Sequence, residues 1–121
     1  MADRDRRGAE RRGRLAEFQA AWWLRLKGYS ILAERVKLPV GEIDLIARRG
    51  QTLTFVEVKQ RPTLEQARQA VSVRNWQRIA HAAEIWAARN APAAELDWRF
   101  DLVAVTRFHV PRHFPDYWRP A

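Results

Sequence analysis

The chain is predicted to fold as an α/β domain, ordered helix, strand, strand, strand, helix, strand, with a mixed sheet flanked by the two helices. Three observations predict it. Apolar residues recur at helical spacing in two places, Leu15 to Tyr29 and Trp76 to Ala87. Between them lie three β-rich runs punctuated by Pro39, Gly41 and Gly50. A fourth such run, Trp98 to Thr106, follows the second helix.

The elements follow in order. Residues 1–12 are polar and Arg-rich and read as a flexible basic arm, leaving 13–121 as one domain. The first helix should start near Gly8 or Gly13 and end at Lys27, with Gly28 as its left-handed cap. Leu15, Phe18, Trp22, Leu26 and Tyr29 form its expected core stripe. Glu17 falls on another side of the wheel, near Ala21 and Leu24, where it reads as an ordinary helix glutamate. Ser30–Lys37 is the first strand, and Glu42–Arg48 and Thr52–Gln60 form a hairpin. Thr63-x-x-Gln66 has the form of a capping box and should open a short helix or ordered loop. The second long helix should cover Ser72–Asn90, with Trp76, Ile79, Ala80, Ala83, Trp86 and Ala87 inward. The aromatic, Pro-containing tail from Phe108 should pack on the domain as irregular structure or a short strand.

Composition narrows the function. The 121 residues include no cysteine, which excludes disulfides, zinc–thiolate sites and cysteine nucleophiles. No apolar run approaches the ~20 residues of a membrane span, and no apolar segment follows the charged N-terminus as in a secretory signal. A cytoplasmic protein without a membrane partner is the expectation. Lys and Arg number 22 against 14 Asp and Glu, a net charge of +8. Most are Arg, the better residue for bidentate phosphate contact. This balance fits a nucleic-acid partner, and equally an Arg-rich composition that serves solubility.

The hairpin carries the chemistry. If Gly50-Gln51 is a two-residue turn of type II′, cross-strand partners have numbers that sum to 101. Asp44 then faces Glu57, and Glu42 faces Lys59, all on one side of the sheet. Two opposed carboxylates among Ile43, Leu45, Ile46, Phe55, Val56 and Val58 repel each other and resist desolvation. A divalent cation would relieve both effects, because Mg²⁺ takes one or two carboxylates plus water and phosphate oxygens. Lys59 is positioned to hold a water or to stabilise charge developing on a phosphate. The alternative is a surface ladder of ion pairs, Glu42 with Lys59 and Asp44 with an Arg.

Gly41-Glu42-Ile43-Asp44-Leu45-Ile46, followed by Phe55-Val56-Glu57-Val58-Lys59-Gln60-Arg61, resembles the YraN family of small bacterial proteins. That family is assigned to the PD-(D/E)xK nuclease superfamily, which includes archaeal Holliday-junction resolvases. The similarity runs from about Gly13 to Thr106. It takes in Glu17 with Ala20 and Leu24, Gly28-Tyr29-x-Ile31-Leu32, and Arg99-Phe100-Asp101. It implies a restriction-endonuclease-like core and hydrolysis of phosphodiester bonds in DNA, including branched or recombination intermediates. It also implies Mg²⁺ or Mn²⁺ held by Asp44, Glu57 and the backbone carbonyl of Val58. Lys59 would be the catalytic lysine, and Glu17 would assist from the first helix. A non-catalytic nucleic-acid-binding module on the same fold is the alternative. By analogy with resolvases, which match a two-fold symmetric junction, a homodimer is also implied. The chain departs from the family pattern at Ala16 (usually Gly), at Arg74 (often Lys) and in a loop before the second helix that is not Gly-rich.

Other residues have weaker claims. Arg61, Arg74, Arg78 and His81 could track a phosphate backbone; the last three equally suit a solvated helix face. His109 and His113 have the spacing of helical metal ligands, but Pro111 argues against a helix there. Asp101 reads as a buried structural carboxylate, and Trp118 as a packing residue or a stacking platform.

Overall fold

The computed structural model describes the backbone of residues 2–121 and the side chains of residues 11 and 13–121. Helix α1 spans Ala2–Leu26, followed by strands β1 (Ser30–Leu38), β2 (Gly41–Arg49) and β3 (Thr52–Gln60). A short helix α2 (Leu64–Gln69) and a long one α3 (Val73–Arg89) lead to β4 (Asp97–Val105) and β5 (Arg112–Trp118). The five strands form one sheet in chain order, with β3 and β4 parallel and the other pairs antiparallel. The α-β-β-β-α-β plan and its mixed sheet are as expected; β5 adds an edge strand from the tail. Helix α1 starts earlier than Gly8 or Gly13. Apart from Arg11, the side chains of the basic arm lie outside the described residues.

Strand β3 is central and buried on both faces, which explains its nearly unbroken apolar run. One face packs on α3. There Ile43, Ile46, Leu53 and Phe55 meet Trp76, Ile79, Ala82, Ala83 and Ala87. Phe55 contacts Trp86, Trp98 and Phe100 at centroid distances of 6.3, 5.3 and 5.5 Å. Trp118 stacks on Trp76 at 5.8 Å, which makes it a packing residue. Local signals set the ends of the helices. Thr63 forms the capping box with Gln66 at the start of α2, and Ser72 caps α3 through the amide of Asn75.

The other face packs on α1, and here one expectation fails. Leu15, Phe18, Trp22 and Leu26 point outward, and of the predicted stripe only Tyr29 is buried. The inward residues are Ala16, Ala20, Ala21 and Leu24, against Leu45, Val56, Val58 and Val103. Two stripes of helical period run along α1, one large and one small. The small one faces in because alanines let the helix axis approach the sheet closely. Glu17 lies next to that small stripe, and close approach brings it to the sheet. Among the described residues no helix is long and apolar enough to cross a membrane.

Candidate active site

Gly50 has φ +61, as the first position of a type II′ turn requires, and the β2–β3 register sums to 101 from Arg49–Thr52 to Leu45–Val56. The ladder stops there, and Asp44 and Glu57 occupy the next position. On its other edge β3 is paired with β4 along its whole length, with Glu57 opposite Leu102. In place of a backbone partner, the Val58 amide donates to Asp44 Oδ2 at 2.8 Å. Alternation along β2 also breaks at this point: Ile43 and Ile46 both face α3, whereas Leu45 faces α1. Beyond the end of the ladder, Lys59 pairs with Glu57 (Nζ to Oε1 3.3 Å) rather than with Glu42. All four expected residues line one cleft, but Lys59 pairs with Glu57 and not with Glu42.

Burial pushes both carboxyls upward. Glu57 is 6% exposed; desolvation and then the neighbouring Asp44 raise it to about 8. Asp44 is raised mainly by desolvation, opposed by hydrogen bonds from Val58 and Glu57 and by the Lys59 charge. Both carboxyls are therefore raised, Glu57 in part because Asp44 stands beside it. Such a pair suits a hard divalent cation, whose charge would substitute for a proton. Among the described residues no three His, Cys, Asp or Glu side chains converge as a metal cage. Asp44 and Glu57 could serve as donors to such an ion, with the Val58 carbonyl adjacent in sequence.

These residues line a cleft of about 660 Å³, open to solvent. Gly13, Ala16 and Glu17 of α1 form one wall, and Asn75 and Arg78 of α3 another. Lys59, Gln60 and Arg61 continue from β3, and Glu42 also lines the cleft. Glu17 accepts a hydrogen bond from Arg35 Nε at 2.7 Å. Its carboxyl is raised by burial and by Asp44, with Arg35 opposing. Arg78 donates to the Val40 carbonyl at 3.2 Å. Arg74 and His81 are exposed on α3 and do not line the cleft.

Gly41 explains how α3 reaches this cleft. A Cβ there would lie 2.7 Å from the Arg78 carbonyl oxygen, so β2 can start against α3 only without a side chain. Gly41→Ala is expected to cost about 1–3 kcal/mol by overpacking and to displace Arg78. Chemical denaturation measures the first effect; a cost below about 0.5 kcal/mol would mean that the helix backs off freely.

The remaining candidates form a separate network. Asp101 is fully buried and accepts from Arg99 Nε and Nη2 at 2.8 and 2.7 Å, and from the Asp116 amide at 2.9 Å. His113 Nε2 lies 2.7 Å from it, and His113 Nδ1 is 2.5 Å from Lys27 Nζ. Asp101 is the structural carboxylate expected, and His113 is its partner rather than a metal ligand paired with His109.

The model of uncharacterised protein family UPF0102 matches residues 16–105 of the chain. This chain belongs to that family. A UPF0102 protein of Paramagnetospirillum magneticum is 48% identical over 120 residues, spanning 96% of this chain and 93% of the relative. One from Rhizobium leguminosarum is 51% identical, spanning 96% and 98%. One from Chelativorans is 53% identical, spanning 91% and 86%.

The UPF0102 match contains Glu17, the hairpin, α3 and β4, and stops before β5. Two cleft-associated residues of this UPF0102 chain escape sequence reasoning. Arg35 has φ +52 within β1, a conformation that costs a non-glycine residue, and it reaches Glu17. No local signal marks an Arg for that conformation. Asn75 carried no signal in the sequence; its amide donates to Ser72 Oγ and it lies on the cleft wall.

Proposed function

We propose that this UPF0102 protein is a nuclease dependent on Mg²⁺ or Mn²⁺ that hydrolyses phosphodiester bonds in DNA. The observation that carries this is the Asp44–Glu57 pair, two buried carboxyls raised together at the floor of an open cleft with Lys59 beside them. Asp44 and Glu57 would hold the divalent ion, which would supply Lewis acidity toward a phosphoryl oxygen. Lys59 Nζ, already beside Glu57, orients the attacking water and stabilises negative charge developing on the phosphate. Arg61 and Arg78 hold neighbouring phosphates against the net acidity of the floor. Glu17, anchored by Arg35, assists from the α1 wall. Branched and recombination intermediates are the substrates that the resolvase-like motif favours.

The test is cleavage of labelled linear, single-stranded and four-way DNA with Mg²⁺ or Mn²⁺. Wild type should cut at least one of them. Asp44→Ala and Glu57→Ala should each lose about 10³-fold or more, and Lys59→Ala about 10²–10³-fold. If wild type and both carboxylate variants show the same background on every substrate, catalysis is wrong. Salt-sensitive DNA binding that survives Glu57→Ala would then identify a non-catalytic binding module.

A further inference from the structure

We propose, resting on the DNA-directed reading of the cleft, that the turn between β4 and β5 is a base-stacking tip. Phe108 takes the face of an unpaired base in a DNA strand whose backbone lies in the cleft. Phe108 is 89% exposed, more than any other large apolar side chain among the described residues. Its φ is +65, in the left-handed region that glycine or asparagine fills at least cost. A bulky side chain here strains the backbone and gains no burial in return. Two local rules broken together at one exposed residue point to function rather than to folding.

The turn holds the ring out and gives it a charge. His109 Nδ1 donates to the Arg107 carbonyl at 2.8 Å, which closes the chain around Phe108. Pro111 then restricts the entry to β5. The Arg107 guanidinium lies over the Phe108 ring at 4.9 Å. Ring and cation are thus presented as a unit, the combination that takes a base on the one and its phosphate on the other.

This tip stands at the same end of the sheet as the cleft. β3 and β4 run parallel, and Gln60, which lines the cleft, is opposite Val105. The Arg61 amide donates to the Val105 carbonyl at 3.2 Å. Phe108 follows Val105 closely in the chain and lies within about 10 Å of it, a span of about three nucleotides. Thr106, His109 and Val110 share a recess with Pro62 and Leu64, the chain just beyond Arg61. Cleft and tip are therefore continuous. Charge favours a polyanion as the occupant: residues 102–115 contain no acid but include Arg107 and Arg112, and Arg61 adjoins them. A protein partner would need a wider apolar patch than Phe108 and Val110 provide.

Fluorescence anisotropy of labelled DNA, with chelator present so that nothing depends on cutting, tests the tip. Wild type should bind a duplex with one unpaired base about tenfold more tightly than the continuous duplex. Phe108→Ala should lose that preference and keep its affinity for the continuous duplex. Phe108→Trp should retain the preference. Phe108→Asn should lose it while melting no lower than wild type, because the turn is relieved and no packing is lost. A wild type that prefers the unpaired base through Phe108 and never cuts DNA would sink the nuclease reading and bear out the tip. Wild type without the preference, or Phe108→Ala that keeps it, would overturn the tip even if Asp44 and Glu57 support cleavage. So would a clear drop in the melting temperature of Phe108→Asn, which would make the ring a packing residue. Wild type that binds neither DNA would overturn both readings.

Discussion

In the absence of divalent ions, Glu57→Gln protein is expected to melt higher than wild type, by about 1 kcal/mol or roughly 4 °C. Adding Mg²⁺ or Mn²⁺ should stabilise wild type and leave the variant unmoved. Without a cation the fold must bury two carboxyls that repel, and Lys59 at 3.3 Å compensates only one of them. An amide at position 57 removes the repulsion and can still hydrogen-bond to Asp44. The gap should depend on pH. A carboxyl raised in the fold favours its protonated form, so its contribution is intact below the ordinary value of 4.5 and is lost as pH rises through about 8. The advantage of Glu57→Gln therefore grows from pH 5 to pH 8, and so does the stabilisation of wild type by metal. The variant should also lose cleavage by about 10³-fold or more, a trade of activity for stability common at active sites. Thermal melts at both pH values, with chelator and with each ion, measure all of this. Equal melting temperatures with no response to metal would remove the physical basis for a cation between Asp44 and Glu57.

Much of the site was legible because it depends on local rules. A two-residue turn at Gly50 and a period of two place Asp44, Glu57 and Lys59 together, and the register confirms the arithmetic as far as Leu45–Val56. The pairing stops there, where the β2–β3 ladder ends and β2 breaks its alternation, a break that no hairpin pattern encodes. The inward face of α1 was misread for a related reason. Hydrophobic periodicity ranks Leu15, Phe18 and Trp22 above Ala16, Ala20 and Ala21. Which stripe faces the sheet is decided by how closely the helix packs, and the alanine face allows the closer approach. The wheel alone therefore read Glu17 as an ordinary helix glutamate, and only the resemblance pointed it toward the cleft that it lines. The edge strand β5 was only half legible, since Pro115 interrupts its pattern and an edge tolerates a missing donor. Arg35 left no trace at all, because its left-handed backbone answers a tertiary need.

Replacing Asp101 with Ala is expected to cost about 3–5 kcal/mol, a large share of the 5–15 kcal/mol that holds a small domain. The loss follows from what would remain. Arg99, His113 and the Asp116 amide all donate to this one carboxylate, and the His113 side chain is 1% exposed. Without the acceptor, the Arg99 guanidinium loses its charge partner and keeps only Tyr29, and the buried His113 Nε2 is left without one. The same geometry sets an acid limit. Burial alone would raise Asp101, but hydrogen bonds from His113, Arg99 and Asp116 outweigh it and bring the carboxyl down to about 2. A depressed carboxylate contributes its stability above the ordinary value of 3.8 and loses it as pH falls through about 2. Roughly 2 kcal/mol should therefore disappear between pH 4 and pH 2 in wild type, and this component should be absent in Asp101→Asn. Urea denaturation across that range reads both numbers, and an Ala variant within 1 kcal/mol of wild type would show that the network is idle. The consequence reaches the cleft. Arg99 also donates to the Tyr29 hydroxyl at 2.6 Å, and Lys27 meets His113, so the end of α1 is tied to β4 and β5 through Asp101. Helix α1 carries Glu17. Loosening its end should therefore reduce cleavage in Asp101→Asn more than the loss of folded protein accounts for, although Asp101 lies outside the cleft.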